Sequence, residues 1–140
     1  MGGCAFCEIV AGRAPANVVY EDQRTLAFLD IHPANPGHTL VVPKRHVPDV
    51  YTLDDTDAAA VMSTVRHVAR AIREALAPDG LNLFQTNGRA AFQSVFHFHM
   101  HLIPRWWNDG LLPPRHATPH RDDDLAATAD RIRQAIQELK

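Results

Sequence analysis

Between Asp54 and Ala77 apolar residues return at three- and four-residue steps, at Val61, Val65, Val68, Ile72 and Leu76, the period of a helix with one buried face. Acids crowd its first turn and Pro78-Asp79-Gly80 follows it, so the spacing predicts a long helix with favourable charge at its start and a sharp stop. The same period puts Leu125, Ile132, Ile136 and Leu139 on one stripe of a terminal helix beginning after Asp122 to Asp124. Elsewhere the pattern is extended. Asn17-Val-Val-Tyr-Glu21 and Thr25-Leu-Ala-Phe-Leu-Asp30 flank a polar Asp22-Gln23-Arg24, as in a β-hairpin. His32 to Gly37 is a Pro- and Gly-bearing loop, and His38 to Lys44 follows as a third strand ended near Pro43. Leu81 to Thr86 and Val95 to Ile103 read as the last two strands, and Cys4 to Ala11 as one short helical turn before Gly12. Helices that come late or sit between hairpin-connected strands predict an α+β domain with its helices on one sheet face.

One strand carries an unusual alternation. In Phe96-His97-Phe98-His99-Met100-His101-Leu102 large apolar residues and imidazoles take turns. On a strand the apolar set would enter the core and the three histidines would line the opposite face, about 6.8 Å apart. His97 and His101 would start roughly twice that far apart, too far to share a metal easily at bonds of about 2.0 Å. A neutral imidazole near pH 7 is both a usable nucleophile and a proton-transfer group, so the row suits a chain of distinct roles. A solvated polar face with no function is the plain alternative.

Composition narrows the partners. The chain has 140 residues, of which 46% are hydrophobic, enough for one compact domain spanning 1–140. Fourteen Lys and Arg against sixteen Asp and Glu give a formal charge of −2, so there is no basic field for a nucleic acid. No apolar run approaches the roughly 20 residues of a membrane span and no leader pattern is visible, so the expectation is a cytoplasmic protein without a membrane partner. In that setting Cys4-x-x-Cys7 points to metal or redox chemistry rather than to a disulfide. It supplies two of the four ligands of a structural zinc, and the redox alternative lacks its usual strand-then-helix context.

The chain resembles the histidine-triad (HIT) family of nucleotide hydrolases and transferases. The resemblance rests on the His97, His99, His101 run and on Phe6, Val19 to Asp22, Leu26 to Ile31, Pro36-Gly37-His38, Val41 to Lys44, His46, Asn87 and Gln93-Ser94-Val95 in family order. It covers about residues 4–105 and leaves 106–140 as an extension ending in a helix. It implies a five-stranded antiparallel sheet with a short N-terminal helix, a long helix and a C-terminal helix, usually in a homodimer. It also implies a mechanism in which His99 attacks the α-phosphorus of a purine nucleotide to form a nucleotidyl-histidine that water cleaves. By the same resemblance His101 touches phosphate, and Gln93 and the backbone around Ser94 hold the α-phosphate, with Ser94 toward the leaving group. Asp30 grips the ribose, Phe6, Phe28 and Ile31 wall the base, and Asn87 belongs to the nucleotide site. For the three apolar residues ordinary core packing is the alternative. The family's cysteine-bearing members complete a zinc site with the residues matching His46 and His97, beside Cys4 and Cys7. One position departs from the pattern: Phe92 stands where glycine commonly precedes the glutamine.

Four functions follow from these residues. They are a hydrolase of nucleoside phosphoramidates or aminoacyl-adenylates, a diadenosine polyphosphate hydrolase, a non-catalytic nucleotide-binding or scaffold protein, and a metalloenzyme. The last is disfavoured by the absence of HExxH and of an acid within the row, and glutamine would replace His101 in the nucleotidylyltransferase branch. Trp106-Trp107 beside the histidine strand, together with the terminal helix, is expected at a homodimer interface, because large aromatic side chains are enriched there. The alternative is that they cover the domain's own core.

Overall fold

The computed structural model describes residues 3–111, 122 and 124–139. Its elements run α1 (Ala5–Val10), β1 (Val18–Glu21), β2 (Thr25–Leu29), β3 (Thr39–Pro43), α2 (Asp55–Leu76), β4 (Gly80–Phe84), β5 (Met100–Arg105) and α3 (Leu125–Glu138), with a 3₁₀ turn at Arg89–Ala91. All five strands join one antiparallel sheet in the order β1-β2-β3-β5-β4. The fold is therefore the α+β five-stranded arrangement that the sequence predicts. The part of the C-terminal extension at 112–121 lies outside the described residues.

Both sheet faces are covered, which corrects the expectation of helices on one face only. Ala27, Leu29, Val41 and Leu102 pack with Val61, Val65, Val68 and Ile72 of α2 and with Ala129, Ile132 and Ile136 of α3. The alternate residues Leu26, Phe28, Leu40 and Val42 pack on the other side against Phe6 of α1 and its neighbours. Period two along β2 and β3 thus feeds two cores, and every residue of both strands is buried. Asp54 caps α2 by accepting from the Asp57 backbone N–H at 2.8 Å, an interaction that typically contributes about 1 kcal/mol. No helix among the described residues is long and apolar enough to cross a membrane.

The histidine strand is shorter than its alternation suggests. It begins at Met100 rather than Val95 and pairs with β3 only from Val41↔Met100 to Thr39↔Leu102. The register would next pair Val42 with His99 and then Pro43 with Phe98, and Pro43 has no N–H to give the ladder. The chain before Met100 instead bonds outside the sheet. The Phe98 N–H donates to the Val47 carbonyl at 2.7 Å, and the His97 ring donates through Nε2 to the Pro43 carbonyl at 2.8 Å. Of the four apolar residues assigned inward, Phe98, Met100 and Leu102 join the core, whereas Phe96 is 40% exposed beneath Arg89.

Candidate active site and metal centre

The loop before β5 divides the three histidines between two places. His97 turns away from His99 and His101 and joins Cys4, Cys7 and His46 in a cluster whose ligand atoms lie within 4.8 Å of one another. Cys4 is the N-cap of α1, its Sγ accepting from the Cys7 backbone N–H at 3.3 Å, so the first helical turn brings both thiols to one side. His46 is held from next door: Arg45 donates to Asp57 at 3.0 Å and to Asp54 at 2.8 Å, at the start of α2. Because His97 gives its Nε2 proton to Pro43, its Nδ1 lone pair faces the cluster.

The spacings suit zinc. Tetrahedral bonds of about 2.3 Å to sulfur and about 2.0 Å to nitrogen separate two nitrogens by about 3.3 Å and sulfur from nitrogen by about 3.5 Å. Here the Nδ1 atoms of His46 and His97 are 3.3 Å apart. Cys4 Sγ to His97 Nδ1 is 3.4 Å, and Cys7 Sγ to the His46 and His97 Nδ1 atoms is 3.3 and 3.6 Å. Two thiolates and two neutral imidazoles are a common structural donor set.

Phe6 separates this cluster from a cavity of about 750 Å³. Its ring meets His97 edge-on at 6.0 Å on one side and His99 at 5.0 Å on the other. The cavity is lined by Phe6, Phe28, Asp30, Ile31, Ser94, His99 and His101 among others. Phe6 and Phe28 are buried and 5.4 Å apart, so they serve the core and the cavity wall together, while Ile31 is 65% exposed at the rim.

Hydrogen bonds decide which ring nitrogen each remaining histidine presents. His99 Nδ1 lies 2.7 Å from the His97 carbonyl, which can only accept. Neutral His99 therefore carries its proton on Nδ1 and has its lone pair on Nε2. Burial pushes the His99 imidazole below its ordinary value, outweighing the pull of the His97 carbonyl and the Asp30 charge in the other direction. Burial likewise lowers His97. A buried imidazole kept neutral with its lone pair exposed to a cavity can act as a nucleophile.

His38 was missed as a site residue by sequence reasoning. It is fully buried, and its Nδ1 accepts from the Ala34 backbone N–H at 3.0 Å. Neutral His38 must then carry its proton on Nε2, which lies 2.9 Å from His101 Nδ1 and 3.6 Å from Asp30. Donation from His38 makes His101 Nδ1 an acceptor and puts the His101 proton on Nε2. The available signal was a polar His38 opening an otherwise apolar strand, since a buried polar group needs a partner. Gly37 lets the preceding loop close over the end of α2: its φ is +88°, and a Cβ there would lie 2.4 Å from Leu76 Cδ1. His101 sits opposite Leu40 and Phe84 in the sheet, and the Phe84 ring stacks on it at 4.3 Å. His99 and His101 are closer than an ideal strand allows, with ring centroids 4.9 Å apart, because His99 precedes the strand.

Two residues assigned to the nucleotide site brace the loop beside Ser94. The Gln93 side chain is buried; it accepts from the Gly88 N–H at 2.7 Å and donates to the Pro48 and Val95 carbonyls. Asn87 exchanges hydrogen bonds with Gln85 and accepts from the Val50 N–H. At the end of the 3₁₀ turn Phe92 has φ 71° and ψ 25°, so the loop keeps a glycine-like backbone despite the substitution. A left-handed non-glycine residue typically costs about 1–2 kcal/mol.

Comparison with known proteins agrees with this geometry. Residues 11–107 match the HIT domain model. The chain is 43% identical over 136 residues to Protein hit of Bacillus subtilis, covering 95% of this chain and 94% of that protein. It is 41% identical over 108 residues to adenylylsulfatase HINT3 of Arabidopsis thaliana, covering 77% of this chain and 55% of that one. A crystal structure of a zinc-bound histidine triad family protein from Mycobacterium smegmatis superposes with a TM-score of 0.88 at 40% identity, covering 98% of this chain and 95% of the other. The sequence run, the antiparallel sheet and these matches together place the chain in the histidine-triad (HIT) family.

Proposed function

We propose that the protein is a nucleotide hydrolase that cleaves the α-phosphate linkage of nucleoside phosphoramidates or aminoacyl-adenylates. The observation that carries this reading is the His97 carbonyl holding the His99 proton on Nδ1, which leaves Nε2 as a buried lone pair at the cavity. His99 Nε2 forms a bond to the α-phosphorus as the bond to the leaving group breaks. A protonated leaving nitrogen departs as neutral amine with the bonding pair, whereas an acyl leaving group departs as carboxylate. Water then adds to phosphorus, the phosphorus–Nε2 bond breaks, and one proton goes to solvent.

The roles of the other groups follow from position. His101 donates a hydrogen bond from Nε2 to a phosphate oxygen, Ser94 faces the leaving group, and Asp30 accepts from the ribose hydroxyls. Phe6, Phe28 and Ile31 wall a purine base. Cys4, Cys7, His46 and His97 hold zinc, which ties α1 to the sheet and fixes the carbonyl that orients His99. The similarity to an adenylylsulfatase supports an adenylyl group as the retained half of the substrate. We further propose a homodimer. Trp107, 83% exposed beside β5, supports it, whereas the apolar stripe of α3 is already used against the protein's own core. Sedimentation as a dimer at micromolar concentration is expected, and a monomer would contradict it.

The test is hydrolysis of adenosine phosphoramidate, lysyl-adenylate and diadenosine polyphosphates by pure protein, side by side. Preference for either of the first two is expected. Preference for the polyphosphates would favour the second hydrolase reading, and inertness to all three would favour a non-catalytic binding protein.

A further inference from the structure

The conformation of Phe92 is costly and its ring gains little from the protein's own core. Its φ of 71° lies where L side chains are rarely found, yet the ring is 83% exposed. Strain of this kind persists only where surrounding bonds enforce it, and here they do. The Phe92 N–H donates to the Arg89 carbonyl at 3.0 Å and the Gln93 N–H to the Gly88 carbonyl at 3.1 Å. The Gln93 side chain closes the same loop onto the Gly88 N–H. The loop therefore fixes the backbone that carries the ring before any ligand binds, and Phe92 lines the cavity together with Ala91 and Ser94.

We propose that Phe92 is a specificity-determining residue that selects substrates carrying an aromatic or bulky apolar leaving group. This rests on the proposed hydrolase reading, in which the reacting phosphorus sits at His99. Phe6, Phe28 and Leu40 form the buried wall of the cavity, the end suited to the retained nucleoside. Phe92 stands at the exposed rim, two residues from Ser94, where the departing half of the substrate must lie. Arg89, the nearest cation in sequence, rests over Phe96, 6.0 Å from the ring centroid, so the cation closest along the chain is turned to another ring. An aromatic group on the leaving amine would gain an edge or stacking contact with a ring whose backbone is already fixed.

The test uses two adenosine 5′-phosphoramidates that differ only in the leaving amine, ammonia in one and benzylamine in the other. In wild-type protein kcat/KM should favour the benzylamine compound. Phe92→Gly should lower kcat/KM for it by about tenfold, the scale of one aromatic contact, and change the ammonia compound by less than about twofold. Phe92→Asn, which tolerates the left-handed backbone without adding glycine's freedom, should behave like Phe92→Gly, and Phe92→Tyr should retain the preference. Thermal midpoints of the Gly and Asn variants should equal or exceed that of wild type. Equal losses on both compounds, a lowered midpoint, or a changed oligomeric state in Phe92→Gly would each overturn the proposal, the last by making the ring a subunit contact. Wild-type inertness to both compounds and to lysyl-adenylate would overturn the hydrolase reading and this inference together, whereas inertness to the two phosphoramidates alone, or turnover of them without discrimination, would overturn this inference alone.

Discussion

On one side of Phe6 the imidazoles of His46 and His97 turn Nδ1 toward two thiols, and on the other His38, His99 and His101 are tied to backbone groups and to one another. In both clusters a backbone partner removes one ring nitrogen from use, so the difference lies in where the other nitrogen points. Pro43 accepts the His97 Nε2 proton, and the lone pair goes to the cysteine cluster. His97 in turn accepts the His99 Nδ1 proton, and the lone pair goes to the cavity. Two residues apart, the same side chain turns its free nitrogen toward a cluster of metal-ligating groups in one case and toward the cavity in the other. The hydrogen-bond partner, more than the residue type, assigns the role.

Three substitutions separate the clusters. His99→Ala should lower turnover by at least about 10⁴-fold, as removal of a nucleophile does, while zinc content stays at one per chain and nucleotide binding persists. Zinc analysis and equilibrium binding on the same preparation check this, and loss of metal along with activity would merge the two clusters. Cys7→Ser should do the reverse. It should strip the metal and lower the thermal midpoint by about 10 °C, because a bound metal's affinity is folding free energy. Turnover should fall much less than in His99→Ala, since the His97 carbonyl is a backbone group. Smallest is His38→Gln, which removes the imidazole that orients His101. It should lower kcat by about 10- to 100-fold with little change in KM. The ¹⁵N shifts of His101 should move from a single Nε2–H tautomer toward a mixture, and an unmoved spectrum would show that His38 does not set the His101 tautomer.

Much of this was legible in the sequence, and the omissions have identifiable causes. Period 3.6 over Val61 to Leu76 locates α2, and the unbroken apolar runs Leu26 to Leu29 and Leu40 to Val42, bounded by polar and Pro- or Gly-bearing loops, locate β2 and β3, because both cores depend on them. The alternation around His99 extends beyond the strand that carries its end. Repeated apolar residues cannot reveal that the ladder with β3 stops at Val41↔Met100, which depends on the pairing of residues more than fifty positions apart. The grouping of Cys4 and Cys7 with His46 and His97 was available only through family resemblance, since nothing local joins Cys4 to His97. Gln93 and Asn87 are polar residues beside the triad, yet their hydrogen bonds turn inward to Pro48, Val95, Gln85 and Val50. Polarity identified the loop, and only the fold shows which of its side chains reach the cavity.

The proposed nucleophile, His99 Nε2, predicts a covalent adduct that can be observed directly. Single-turnover reaction of excess protein with adenosine phosphoramidate, quenched during the reaction under conditions that preserve phosphorus–nitrogen bonds, should yield a transient adenylyl adduct seen by intact mass. Peptide mapping should place it on His99. The adduct should rise and decay in wild type and be absent from His99→Ala. Steady hydrolysis with no adduct at any time, or the same adduct on a residue other than His99, would contradict the assignment.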